Sequence, residues 1–132
     1  MAHHFPAIIT LAALLLYFLT AAAVMFARGK YGIKAPACTG NADFERLFRV
    51  QMNTQENLLL FLPALWLFSI YVSAYWSGVI GLVWLLGRVY YAVSYSRSAS
   101  GRSPGFALAL LAFAVLAIGA SVGIVVQMMA GL

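Results

Sequence analysis

Three polar side chains share one face of a predicted helix inside an otherwise apolar segment. Arg49, Asn53 and Glu56 are spaced four and three residues apart, so at 100° per residue they fall within one narrow sector. If the segment crosses a membrane, an unpaired carboxylate there costs about 2.5 kcal/mol or more. Arg88, on the next apolar segment, lies at a similar depth when residues are counted at about 1.5 Å each. We therefore predict an ion pair between Glu56 and Arg88.

A second polar face belongs to the segment that contains Arg88. Tyr91 and Tyr95 follow it at helical spacing and lie on the same side as the arginine. Guanidinium groups beside phenols suit a ligand that carries carboxylates, because the planar donors match carboxylate geometry. An alternative is that these groups only hold helices together. The surplus of positive charge, which helix packing does not require, favours a ligand pocket between the two helices.

The composition shows what kind of protein must position these groups. Of 132 residues, 64% are hydrophobic and 8% are charged, against roughly 25% charged in soluble domains. Long stretches without Lys, Arg, Asp or Glu cover residues 5–27, 58–86 and 106–132. The chain is predicted to be an integral membrane protein. This excludes a secreted disulfide scaffold, for which the single Cys38 is also insufficient, a nucleic-acid-binding protein and a disordered tail.

The apolar stretches predict four membrane-spanning helices in a single domain of residues 1–132. A span needs about 20 residues, and the stretches are too long and too uniformly apolar for barrel strands. We expect an all-α, four-helix transmembrane bundle with up-down topology. The first stretch is expected to be a retained span, because it is longer than the apolar region of a signal peptide. The approximate spans are residues 5–27, 44–72, 76–96 and 104–131.

The charge distribution predicts an orientation. All Lys and Arg residues between spans fall in the loops 28–43 and 97–103, whereas the connection near residues 73–77 is short and uncharged. The positive-inside rule makes the two basic loops cytoplasmic and places both termini on the opposite side. The compact loops favour a bacterial inner membrane.

The second span is polar on two sides, which predicts an oligomer. Gln51 and Gln55 lie on the side opposite Arg49 when the helix is projected at 100° per residue. One bundle of four helices does not easily shelter both polar faces. We therefore expect this helix to touch a second subunit, with the pocket at the interface.

Two segments resemble a known family. Residues 44–57, FERLFRVQMNTQEN, followed by Phe61-Leu62-Pro63, resemble the second-helix signature of the MAPEG family, membrane-associated proteins in eicosanoid and glutathione metabolism. Residues 87–97, GRVYYAVSYSR, continuing to Arg102, are similar to the third helix and loop of its cysteinyl-leukotriene synthase branch. The resemblance covers essentially the whole chain. It implies a homotrimer with glutathione bound between adjacent subunits.

The resemblance also implies roles for the polar face of each helix. Arg49, Asn53 and Glu56 would hold the γ-glutamyl end of glutathione, with Glu56 at its ammonium and Arg49 at a carboxylate. Tyr91 and Tyr95 would add hydroxyl contacts. Tyr91 stands where prostaglandin E synthases have histidine, which argues against that isomerase activity.

Four further residues receive roles from the same resemblance. Gln51 and Arg28, from the neighbouring subunit, would meet the glycine carboxylate, and Arg88 would order the pocket. Arg102 would lie beside the thiol. A thiol with a pKa near about 8.5 is mostly protonated at neutral pH, and a permanently charged guanidinium favours the nucleophilic thiolate. The resemblance thus makes Arg102 the expected catalytic residue, acting electrostatically, and the alternative is a loop residue that only follows the positive-inside rule.

The expected function is a membrane-bound glutathione transferase or peroxidase that uses this thiolate on lipophilic electrophiles or lipid hydroperoxides. The alternative is a non-catalytic lipid-binding scaffold, like the lipoxygenase-activating member of the family. A transporter is disfavoured, because the second half of every span is apolar. We expect glutathione as co-substrate, contact with membrane lipid, no metal and no nucleic-acid partner.

Overall fold

A computed structural model describes residues 1–98 and 103–131 of the chain. The prediction of an all-α, four-helix protein is confirmed, and no strand occurs in the described part. The first loop is shorter than expected, because its flanking helices continue into it at both ends. The four helices are α1, His4–Tyr31, α2, Ala42–Tyr71, α3, Ala74–Arg97, and α4, Ser103–Ala130.

The helices differ in how well they suit a membrane. Three of them, α1, α3 and α4, are long and apolar enough to cross one. The remaining long helix, α2, has five charged residues in its first half, and its role as a fourth span stays a prediction. The charged residues of α2 therefore lie on the one long helix of the described part that does not meet this condition, and the other three helices are apolar.

Capping residues determine where α2 and α3 begin. Asn41 Oδ1 accepts hydrogen bonds from the backbone N–H groups of Asp43 and Phe44, at 2.9 and 3.0 Å, which satisfies donors that the first turn leaves unpaired. Ser73 Oγ accepts in the same way from the Trp76 N–H at 3.2 Å. Because only Val72 and Ser73 separate the two helices, α2 and α3 form a tight antiparallel hairpin.

The core lies along the contact between α2 and α3. The rings of Phe61 and Trp84 stack with centroids 3.8 Å apart and planes 4° from parallel. Ser77 Oγ donates to the Leu65 carbonyl at 2.7 Å and bridges the same two helices. Both α1 and α4 pack against this pair. The hairpin is therefore the centre of the bundle.

Two side-chain hydrogen bonds fix α1 against α2. Tyr17 Oη donates to Gln55 Oε1 at 2.9 Å, and Trp66 Nε1 donates to Thr10 Oγ1 at 3.0 Å. These pairs make the helices antiparallel. Since Tyr17 is at the middle of α1, Gln55 lies at mid-height of the bundle. Gln55 thus has a partner in α1 of the same chain, but its side chain stays exposed, so the expectation that α2 touches a second subunit stays a prediction.

Glycines bring α4 close to its neighbours at both ends. A Cβ added at Gly105 would lie 2.6 Å from the Gly87 carbonyl oxygen and 2.6 Å from the Tyr91 nitrogen of α3. A Cβ at Gly119 would lie 2.5 Å from the Phe68 ring of α2, and one at Gly123 would lie 2.8 Å from the Tyr71 carbonyl oxygen. Small residues thus let α4 approach α3 and α2 closely.

Candidate functional site

A cavity of about 290 Å³ opens between α2, α3 and α4 at the end of the bundle where α2 begins. It contains four of the predicted site residues and two that were not predicted. Both unpredicted residues, Ser103 and Phe106, come from the first turn of α4. The lining residues are Arg49, Asn53, Tyr91, Tyr95, Ser103 and Phe106.

The two tyrosines form one wall of this cavity. Their rings stack with centroids 5.6 Å apart and planes 19° from parallel, as the four-residue spacing on α3 allows. Tyr91 is buried and Tyr95 is half-buried. The Phe106 ring lies 6.3 Å from the Tyr91 ring and adds an apolar surface. The cavity therefore combines phenol groups with one apolar wall.

The predicted Glu56–Arg88 ion pair is wrong. Arg88 is fully buried, and its Nη2 donates to Thr54 Oγ1 at 3.0 Å. Its guanidinium carbon lies 4.3 Å from the centroid of the Tyr91 ring, a cation–π geometry. Among the described residues, its Nε and Nη1 have no hydrogen-bond partner. Arg88 thus supports Tyr91 from behind the cavity.

Glu56 is exposed because it lies on a different side of α2. Thr54 lies on the side of α2 that faces α3. Glu56 follows two residues later, which places its side chain about 200° further around the helix axis. Glu56 therefore points away from Arg88. Arg49, also exposed, and Asn53, half-buried, remain at the cavity.

Arg28 and Gln51 do not line this cavity. Arg28 Nη1 donates to the Ala37 carbonyl at 2.6 Å, and its guanidinium carbon lies 5.1 Å from the Phe44 ring centroid. Arg28 therefore ties the first loop to the ends of α1 and α2. Gln51 is half-buried on α2. Both are at the same end of the bundle as the cavity, outside its wall.

The expected catalytic residue, Arg102, lies outside the described residues. Its neighbour in the sequence, Ser103, is the first residue of α4 and lines the cavity. Ser103 was not among the residues predicted for the site. Its spacing from Phe106, one turn along α4, is the signal that identifies both as one face.

The chemistry of the lining suits an anionic ligand. Arg49 can only donate hydrogen bonds, and the tyrosine and serine hydroxyls donate readily. A carboxylate accepts several such bonds, and those from a guanidinium are about twice as strong as neutral ones. The cavity can therefore hold a carboxylate beside an apolar wall formed by Phe106.

Comparisons with known proteins identify the family of the chain. The MAPEG family model matches residues 6–122. Human microsomal glutathione S-transferase 2 is 39% identical over 98 residues, which are 74% of this chain and 67% of the relative. Bovine leukotriene C4 synthase is 34% identical over 113 residues, 85% of this chain and 75% of the relative.

A cyanobacterial relative extends the match further along the chain. An uncharacterized protein of Synechocystis sp. is 49% identical over 123 residues, which are 93% of this chain and 90% of that protein. The resemblance seen in the second and third helices is thus confirmed over nearly the full length. The chain belongs to the MAPEG family.

Proposed function

We propose that this protein is a membrane-bound glutathione transferase that conjugates lipophilic electrophiles and reduces lipid hydroperoxides with a glutathione thiolate. The observation that carries the proposal is the cavity that combines Arg49 and Asn53 of α2 with Tyr91 and Tyr95 of α3. Relatives named as a glutathione transferase and a leukotriene synthase support it.

Arg102 supplies the electrostatic activation in this proposal. It directly precedes Ser103 in the sequence, and Ser103 lines the cavity. A guanidinium near the thiol stabilises the thiolate and lowers the pKa of the thiol. Because arginine stays protonated in proteins, it does not act as a base, and the proton leaves to solvent.

The thiolate then attacks the electrophilic carbon and displaces its leaving group, which is chloride for 1-chloro-2,4-dinitrobenzene. With a hydroperoxide it attacks the peroxide oxygen and breaks the O–O bond, which releases the alcohol and leaves glutathione sulfenic acid. A second glutathione converts this acid to the disulfide and water.

The apolar side of the cavity receives the second substrate. Phe106 is partly exposed and packs beside Tyr91, so it provides a surface between the polar groups and the outside of the bundle. A membrane-soluble electrophile enters laterally along this surface. Polar groups then hold the peptide, and the apolar wall holds the electrophile.

The exposed position of Glu56 is an argument for a homotrimer in which the sites lie between subunits. Its side chain is exposed, yet its neighbour Gln55 lies at mid-height of the bundle opposite Tyr17. A carboxylate exposed to lipid at that level costs about 2.5 kcal/mol or more. A neighbouring subunit that covers this side, and the ammonium of glutathione, remove that cost. Arg28 and Gln51 then reach the glycine carboxylate from the second subunit.

The experiment is glutathione conjugation to 1-chloro-2,4-dinitrobenzene by the detergent-purified protein. Thiolate absorbance in the ultraviolet, recorded without electrophile, separates thiol activation from turnover. The parent protein is expected to show both, and Arg102→Ala is expected to lose both while still binding glutathione. Arg97→Ala, at the exposed end of α3, is the matched control and keeps activity.

Two outcomes contradict the proposal. A parent protein that binds a lipid but shows no thiolate absorbance and no turnover supports the non-catalytic lipid-binding scaffold. Equal loss of activity in Arg97→Ala and Arg102→Ala shows that positive charge at this end is needed in general, without a role specific to Arg102.

A further inference from the structure

Asn57 contacts the site without lining it. Its Nδ2 donates to the main-chain carbonyl of Asn53 at 2.8 Å and lies 3.3 Å from Asn53 Oδ1. Asn57 is half-buried, one turn further along α2. Because both contacts come from a single amino group, they determine how the two carboxamides face each other.

The chemistry of the carboxamide fixes the orientation of both side chains. The Asn57 atom that lies 2.8 Å from the Asn53 carbonyl oxygen must be the amino nitrogen. If the Asn57 side-chain oxygen stood at that place, two hydrogen-bond acceptors would face each other. The same amino group also needs an acceptor on the Asn53 side chain, which is Oδ1. The Asn53 oxygen is therefore held toward Asn57, and its nitrogen occupies the other branch of the carboxamide.

We infer that Asn57 is a positioning residue that turns Asn53 so that the cavity meets the Nδ2 donor of its carboxamide. Asn53 lines the cavity, and Nδ2 is the part of its carboxamide that Asn57 does not occupy. We call Asn53 Nδ2 and the Arg49 guanidinium together the donor corner of the cavity. It presents only hydrogen-bond donors, which suit a carboxylate and repel an ammonium group. The inference rests on the proposed function, in which Arg49 and Asn53 already hold the glutamyl end of glutathione, and it adds the role of Asn57.

The test uses two substitutions that separate positioning from helix stability. Asn57→Ser keeps a donor for the Asn53 carbonyl, as Ser121 Oγ donates to the Ala117 carbonyl at 2.8 Å, but it is too short to reach Asn53 Oδ1. Asn57→Leu removes both contacts. Both variants are expected to raise the glutathione KM about fivefold, the effect of one neutral hydrogen bond, with kcat at saturating glutathione unchanged.

Ser121→Ala is the matched control, since it removes the same kind of intrahelical bond at the far end of α4. It is expected to leave KM and kcat unchanged. Thermal unfolding in detergent verifies that each variant is folded. If Asn57→Leu does not fold, Asn57→Ser still provides the measurement, because its bond to the helix backbone is retained.

A ligand comparison identifies the group that the donor corner binds. Calorimetry compares glutathione with an analogue whose glutamyl carboxylate is converted to an amide. The parent protein is expected to bind the analogue about tenfold more weakly than glutathione. In Asn57→Ser, the ratio of these two dissociation constants is expected to be smaller. A parent-like KM in Asn57→Ser, or an unchanged ratio, overturns the inference alone. A parent protein that does not bind glutathione overturns the proposed function, and this inference with it.

Discussion

The Arg88 guanidinium donates to Thr54 Oγ1 at 3.0 Å, with both side chains buried between α2 and α3. The Thr54 hydroxyl in turn donates a hydrogen bond to the Val50 carbonyl oxygen at 2.7 Å, so a single hydroxyl links the buried cation to the backbone of α2. Among the described residues, no carboxylate pairs with Arg88. A neutral side chain therefore holds a buried charge in place.

Removing the Thr54 hydroxyl is expected to destabilise the fold more than removing the charge that it supports. Thr54→Val leaves a buried guanidinium with one partner fewer, at a cost of about 1 to 3 kcal/mol. Arg88→Met replaces the cation with an apolar chain of similar length, which is often close to neutral. The double variant should recover most of the loss. Thermal unfolding of the four proteins in detergent measures this, and a double variant no more stable than Thr54→Val contradicts it.

Gly105→Ala is expected to disrupt the contact between α3 and α4. The new Cβ would lie 2.6 Å from two backbone atoms of α3, and backbone atoms cannot move aside as a side chain can. A loss of about 2 kcal/mol or more is expected, seen as a lower melting temperature and reduced turnover. Gly29→Ala is the control, because no atom lies within 4 Å of its added Cβ. It should stabilise α1 by up to about 1 kcal/mol, and equal destabilisation of both variants would refute the argument.

Arg49→Ala is expected to raise the glutathione KM about tenfold or more, because a hydrogen bond to a charged group contributes roughly 1.5 to 3 kcal/mol. Arg49→Lys should recover part of this, since an ammonium keeps the charge without the planar pair of donors. Arg46→Ala is the control on the same helix, where Arg46 pairs with Asp43 outside the cavity. Initial rates at varied glutathione test this, and the same change in KM in both alanine variants would count against a specific role for Arg49.

Cys38 provides a direct test of orientation. It is the one cysteine in the sequence and is exposed in the first loop. A membrane-impermeant maleimide applied to sealed vesicles should label it only from the cytoplasmic side, as the positive-inside rule predicts. A Cys38→Ser chain with Ala2→Cys, at the exposed N-terminus, should label only from the opposite side. The reverse pattern would invert the proposed topology.

Helical periodicity predicted which side chains meet within one helix. Tyr91 and Tyr95 stack as their four-residue spacing indicates, and Arg49 and Asn53 reach the same cavity. These relationships depend only on the 3.6-residue repeat, which any α-helix of this sequence imposes. The helix ends likewise lie within four residues of the spans expected from the apolar stretches, residues 5–27, 44–72, 76–96 and 104–131.

Periodicity could not decide which side of α2 faces α3. Depth alone made Glu56 a plausible partner for Arg88, but rotation about the helix axis is set by packing, and Thr54 takes that position. The large apolar residues that stack along the hairpin, such as Phe61 against Trp84, fix this rotation. Ser103 and Phe106 were missed for a related reason, since their place at the cavity depends on how closely Gly87 and Gly105 allow α4 to approach.

The same close approach has a consequence for how this protein can change over evolutionary time. Gly105 lies between Ser103 and Phe106, so the contact that holds α3 against α4 also positions two residues of the cavity lining. A substitution that moves α4 away from α3 to admit a bulkier electrophile therefore also lowers the stability of the bundle. Changes in the cavity lining should therefore arise more readily through exchanges at Phe106, which is partly exposed, than through enlargement of Gly87 or Gly105.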